Sequence, residues 1–231
     1  MKKSILILSF ILASYLLSAQ HFYIGGMLGM SINNGFNKDV TTVDQLWQVR
    51  SVPYFGAQTG VTGRYDSKGL FKLQLDLIHS KEGNNYFIAY SQSANPEDET
   101  NVLLKRTYLR LNIIPSLGGN FSKFPKLGLM GGVGISTGFS LANYPTNKSN
   151  SMELWPIDNI IGGENPNFSL LISSTLYWKL GVGLLEFNAR YRHSLTASFI
   201  TPDYKMPDDF NKSFEFNINF IILIKIDSSA P

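Results

Sequence analysis

The sequence predicts an all-β fold, an eight-stranded antiparallel up-and-down transmembrane β-barrel with a filled interior. Three observations lead there. Large hydrophobic and aromatic residues recur at every second position in eight separate windows. No run of 18 apolar residues follows the first segment, and the gaps between windows alternate long and short. A period of two is the signature of strands, and tight turns on one side with long loops on the other mark an outer-membrane barrel.

The first segment is read as a signal peptide. Lys2 and Lys3 precede an apolar run over residues 5–17 that ends in Ser18-Ala19-Gln20. A run of that length is shorter than the ~20 residues of a spanning helix. Cleavage after Ala19 divides the chain into a signal peptide, 1–19, and a β-barrel domain, 20–231. The sequence contains no cysteine, which excludes a lipid-anchoring thiol and a disulfide framework. Lysine and arginine number 20 against 17 acids, and loss of Lys2 and Lys3 leaves a net charge near +1. No nucleic-acid partner follows from that balance.

The eight windows are 21–33, 52–65, 70–80, 105–117, 126–141, 168–180, 183–195 and 212–226, each long enough for the ~9–11 tilted residues that cross a bilayer. The last two alternate most strictly. Leu185, Phe187, Ala189 and Tyr191 are interleaved with Glu186, Asn188, Arg190 and Arg192, and Phe214, Phe216, Ile218, Phe220 and Ile222 with Glu215, Asn217 and Asn219. Windows one and five carry Gly25, Gly29, Gly132, Gly134 and Gly138 on the expected inner face, where a missing side chain leaves room for a long arginine opposite. Aromatic residues near the window ends, among them Tyr23, Tyr54, Phe55, Tyr65, Phe139, Phe168, Tyr177, Trp178 and Phe214, are expected in two interfacial girdles. The gaps 34–51, 81–104, 142–167 and 196–211 are read as long loops. Those at 66–69 and 181–182 are tight turns, and 118–125 is a connection of intermediate length.

The polar face gives the candidate site. Arg64, Lys72, Arg106, Arg110, Lys179, Arg190 and Arg192 share it with Asp76, Glu186 and Glu215. An eight-stranded barrel is just wide enough for side chains to fill, so these residues are expected to form a structural charge network in the lumen, with Glu215 beside Arg190 and Arg192, and Glu186 near Lys179. No catalytic residue, cofactor site or metal site is predicted. His79-Ser80 and His193-Ser194 are the adjacent histidine–serine pairs, and neighbours in a strand point to opposite faces. The third histidine, His21, forms no metal-binding spacing with either.

Several phrases resemble the PorT-like, or porin-family, outer membrane β-barrel proteins. Leu73-Gln74-Leu75-Asp76-Leu77-Ile78-His79-Ser80-Lys81-Glu82-Gly83 looks like the family's third strand and its Lys-x-Gly continuation. Tyr108-Leu109-Arg110-Leu111-Asn112-Ile113-Ile114-Pro115 is similar to the fourth, Gly128-Leu129-Met130-Gly131-Gly132-Val133-Gly134 to the glycine-rich fifth, and Phe187-Asn188-Ala189-Arg190-Tyr191 to the seventh. The resemblance implies a barrel in the outer membrane of a Gram-negative bacterium, with no shared catalytic residue or ligand. Expected partners are outer-membrane lipid, the barrel-assembly machinery, and a protein or surface ligand at the long loops. The function expected is envelope structure, adhesion or partner binding. The alternatives are an accessory membrane subunit of a secretion or gliding apparatus, an outer-leaflet lipid-modifying enzyme, and a soluble lipocalin-like carrier.

Overall fold

The computed structural model describes residues 19–35, 40–43, 47–67, 69–90, 100–147, 161–162, 165–196, 199–200 and 211–224. The expected signal peptide lies outside them apart from Ala19. Eight strands form the wall: β1 (Ala19–Gly35), β2 (Tyr54–Ser67), β3 (Phe71–Tyr90), β4 (Thr100–Phe121), β5 (Phe124–Asn147), β6 (Asn167–Leu180), β7 (Gly183–Ser194) and β8 (Asn211–Ile224). Each pairs antiparallel with its neighbours in the chain, and β1 pairs with β8. The sheet therefore closes, leaving no edge around the wall.

Register fixes the barrel's shape. Tyr108 on β4 faces Ser80, which faces Gln58, then Gly29, Asn217, Asn188, Thr175 and Met130. Met130 in turn faces Gly118, so one circuit returns to β4 ten residues beyond its start. That stagger tilts the strands by roughly 35–45° and gives an interior that side chains can fill.

Each window contains a strand, but three strands are longer than expected. β3 runs on to Tyr90, β4 starts at Thr100, and β5 continues to Asn147. The stems of two expected loops, 81–104 and 142–167, are thus partly ladder. The backbone there is built from β-forming residues such as Tyr86, Phe87 and Ile88, whose alternation is too irregular to read as a two-faced strand. Pairing between β5 and β6 stops at Gly138–Asn167, whereas β4 and β5 stay paired up to Val102–Asn147. One side of the wall therefore rises above the rest as a ridge. Trp47–Val52 adds to it by pairing with Asn85–Tyr90. Between Val52–Asn85 and Gln58–Ser80 six steps on one side face five on the other, a bulge that accommodates Pro53 and its missing N–H.

The opposite end has tight turns. β4 and β5 are joined by Ser122-Lys123 alone, shorter than the connection expected at 118–125. Gly181 starts the β6–β7 turn at a φ of 57°, a left-handed conformation that favours glycine. At the β2–β3 turn the Ser67 hydroxyl donates to the Phe71 carbonyl at 2.8 Å and accepts from the Gly69 amide at 3.3 Å.

Burial alternates along the wall strands, as the β6 run from Asn167 to Trp178 illustrates, and breaks on β2 where Arg64, Tyr65 and Asp66 are all buried. Small apolar residues do not fill the lumen; Tyr23, Met130, Tyr177, Leu184 and Ile221 cluster near the turn end. Above them the interior is mainly polar, with Met27, Ile78, Ile114 and Leu171 buried among the polar side chains. Gly138 faces Arg110 across the β4–β5 ladder, and a Cβ there would meet Arg110 Nη1 at 2.5 Å. Its absence makes the space that the guanidinium occupies. Of the aromatics expected in girdles, Phe55, Phe139, Phe168, Trp178 and Phe214 are exposed, but Tyr23, Tyr65 and Tyr177 are buried. Tyrosine suits an interior position here because the hydroxyl can find a partner, as Tyr177 does by donating to Asn120 Oδ1 at 2.9 Å.

Candidate functional site

The inward polar residues form three tiers. At the turn end Arg64 makes a two-pronged contact with Asp66, its Nε and Nη2 donating at 2.6 and 2.7 Å. The third prong, Nη1, crosses the lumen to Glu186 Oε1 at 2.6 Å. Lys72 Nζ reaches Asp66 Oδ2 at 3.0 Å, and Asn219 donates to the other Glu186 oxygen at 2.9 Å. The Tyr177 ring lies beneath the Arg64 guanidinium, 4.5 Å from centroid to Cζ.

In the middle tier Asp76 accepts from Thr62 at 2.5 Å and from Gln74 at 2.9 Å. Arg190 Nη1 lies 2.8 Å from the other Asp76 oxygen, a charge contact without hydrogen-bond alignment. At the loop end Glu82 is held by Arg110 through Nε at 2.5 Å and Nη2 at 2.7 Å. Arg192 Nη2 approaches it at 2.8 Å, and the Ser80 hydroxyl donates to it at 2.5 Å. Arg192 Nε also contacts Glu215 Oε1 at 2.9 Å. Arg106 donates to the Tyr108 hydroxyl at 2.9 Å, and the Tyr108 ring lies 4.3 Å from the Arg110 Cζ.

The pairings differ from those expected by proximity along the wall. Arg190 and Glu215 are direct partners in the β7–β8 register, yet Glu215 contacts Arg192 and Arg190 reaches across to β3. Glu186 pairs with Arg64 rather than Lys179, which is exposed at the turn end. Two central acids, Asp66 and Glu82, were not among the expected members. Both continue the inward alternation of residues that were, Asp66 next after Arg64 and Glu82 further along the line that starts at Asp76 and passes through the buried Ile78 and Ser80. Extending the two strands by one turn of the pleat would have found them.

The histidine–serine pairs are split by the pleat. Ser80 and Ser194 are buried, bonded to Glu82 and to Ser169, while His79 is exposed on the outer face and His193 lies in register with Lys212. Among the described residues no group of three His, Cys, Asp or Glu side chains could hold a metal ion.

The outer wall inverts the distribution of a soluble protein. Leu28 is 67 % exposed, Ile172 59 %, Ile218 53 % and Phe187 45 %, with the other outward positions similarly apolar. All the described acids, Asp66, Asp76, Glu82, Glu186 and Glu215, are buried. Among the described residues the exposed charges are lysines at the two rims: Lys123, Lys126 and Lys179 at the turn end and Lys81 at the loop end, with Lys105 and Lys212 half-buried there.

No family model and no curated protein sequence matches the chain. Among solved structures it is similar in shape to the outer membrane protein OprG from Pseudomonas aeruginosa, at 10 % identity over 90 % of this chain and 98 % of that one, with a TM-score of 0.48. Neisserial surface protein A gives 8 % identity over 87 % and 96 %, with a TM-score of 0.42. Ail of Yersinia pestis, in complex with the heparin analogue sucrose octasulfate, gives 11 % over 88 % and 100 %, with a TM-score of 0.39.

Proposed function

We propose that residues 20–231 are an integral outer-membrane barrel of a Gram-negative envelope, exported through the signal peptide at 1–19, whose wall displays its loop end for envelope structure, adhesion or partner binding. The observation that carries this reading is the inverted wall. Large apolar side chains cover the exterior while every described acid is sequestered inside, an arrangement that is costly in water and favourable in a hydrocarbon layer. A lipocalin-like carrier would have the opposite polarity. Outer-membrane lipid and the barrel-assembly machinery are then necessary partners. The ridge formed by β3, β4 and β5 supports a binding role, because it extends a rigid paired surface beyond the rim where a protein or surface ligand would meet it. Catalysis has no support from the split histidine–serine pairs. Membership of the PorT-like family, on the phrases at 73–83 and 108–115, belongs to the same proposal, and with it the narrower role of a secretion or gliding subunit.

The decisive measurement is envelope fractionation of a tagged chain followed by proteolysis of intact cells. Recovery in the outer membrane is expected, with cuts confined to the loop-end connections such as 91–99 and 148–160. Cuts at Ser122-Lys123 or Gly181-Val182 instead would reverse the topology, and recovery in the soluble periplasm would overturn the membrane assignment. The packed lumen adds a second expectation, that purified protein in planar bilayers shows little or no steady conductance. A large, stable channel would mean that the interior is water-filled and the chain a transport porin.

A further inference from the structure

We propose that the outer faces of β3 and β4 at the loop end carry a binding site for the phosphates of an anionic outer-leaflet glycolipid, built from His79, Lys81 and Lys105. The proposal rests on the membrane reading above and names a ligand that reading leaves open.

His79 and Lys81 are two residues apart on β3 and both exposed, so they share the outward face. Lys81 is in register with Thr107 on β4, and Lys105, two residues along, is opposite Gly83. Lys81 and Lys105 are thus diagonal cross-strand neighbours, about 7–8 Å apart. Gly83, opposite Lys105, is buried and places no further charge or bulk on that face.

The intervening inward positions hold Glu82 and Arg106, both buried, and Glu82 is engaged by Arg110 and Arg192. With all the described acids inside the barrel, neither lysine has a carboxylate partner on this face among the described residues. Two cations placed side by side without a neutralising acid repel each other, and a multiply charged anion between them removes that repulsion.

Position selects the kind of anion. Directly below the patch the same face presents Leu77, Leu109 and Leu111, exposed by 43, 37 and 44 %. A ligand with phosphates above and acyl chains below matches both halves, whereas a free phosphate would leave the leucines unused. Lysine suits the role because its flexible apolar stem can lie against the wall while the ammonium reaches the headgroup plane.

The test uses full-length mature protein refolded in detergent, with lipid A carrying both phosphates as the probe, and its dephosphorylated form and phosphatidylglycerol as comparators. Lipid retained on the protein is read by native mass spectrometry and by competition with a fluorescent lipid A. Selective retention of the phosphorylated form is expected. Lys81→Gln with Lys105→Gln should weaken it about thirtyfold, from the usual strength of a lysine at an anionic lipid surface. Lys123→Gln with Lys126→Gln, at the other rim, should leave it unchanged. Equal retention of dephosphorylated lipid A or of phosphatidylglycerol, or no loss in the Lys81/Lys105 variant, would overturn the site. Insertion into phosphatidylcholine vesicles, followed by heat-modifiable gel mobility, separates the two levels. A chain that fails to insert sinks the membrane reading too, while normal insertion with unselective lipid binding sinks the site alone.

Discussion

Replacing Glu82 by alanine is expected to destabilise the barrel by about 3–5 kcal/mol, the usual consequence of stripping a buried ion pair of one partner. Glu82 is fully engaged: Arg110 contacts both of its oxygens, at 2.5 and 2.7 Å, and Arg192 approaches at 2.8 Å. Its removal leaves two guanidinium groups in a lumen where Arg110 and Arg192 are 1 and 2 % exposed. Neither can turn to solvent. Glu82→Gln keeps the shape and an acceptor but not the charge, and should fall between wild type and alanine. Removing Arg110 together with Glu82, as Arg110→Met with Glu82→Ala, should recover part of the loss, because the burial penalty of one cation disappears with its partner. Urea unfolding in lipid vesicles, followed by tryptophan fluorescence, gives the values. Lys123→Gln, at an exposed turn, is the reference and should change stability by no more than about 0.5 kcal/mol. A loss below 1 kcal/mol for Glu82→Ala would mean that water reaches the upper tier and the interior is not packed.

How the tiers assemble explains what a one-dimensional reading can reach. Inward or outward position is a matter of parity, and parity is written in the sequence: Arg64, Asp76, Arg110, Glu186 and Arg190 alternate with apolar neighbours and are all buried. Adjacent-strand register is nearly as accessible, since the tight turn at Gly181-Val182 aligns β6 with β7. The partners across the lumen are different in kind. Arg64 and Glu186 are 122 residues apart on β2 and β7, and they meet because the stagger of the closed sheet brings those two positions to the same level. Strand count alone does not determine that stagger, so Arg190 with Asp76 and Arg64 with Glu186 are not legible, and Glu215 carries a larger share in the sequence reading than its one ion pair, with Arg192, supports. Glu82 was missed for a local reason. Lys81, Glu82, Gly83, Asn84 and Asn85 form a polar run that resembles a loop, although Glu82 continues the inward line of β3.

The outer wall gives the second large effect. Phe187 lies mid-way along β7, 45 % exposed, and faces Ile218 across the β7–β8 register, with Ala189 and Phe216 beside them on the same apolar surface. Phe187→Arg places a guanidinium where no described charge lies within reach on that face, and is expected to destabilise the inserted barrel by about 2–4 kcal/mol if the position is near the bilayer midplane. Depth should grade the penalty. Val182, in the tight turn and 75 % exposed, marks the end of the wall, so Val182→Arg should cost about 0–1 kcal/mol. Phe220→Arg, between the two in position along β8, should fall between them. The sign also depends on the medium, because in water an arginine on an exposed apolar wall would be neutral or favourable. The same variants therefore decide between membrane and soluble models when unfolding is measured in vesicles. A graded loss from Val182 through Phe220 to Phe187 is the expected result. Equal stabilities across the three, or a gain for Phe187→Arg, would mean that this wall faces water and that the barrel does not lie in a bilayer.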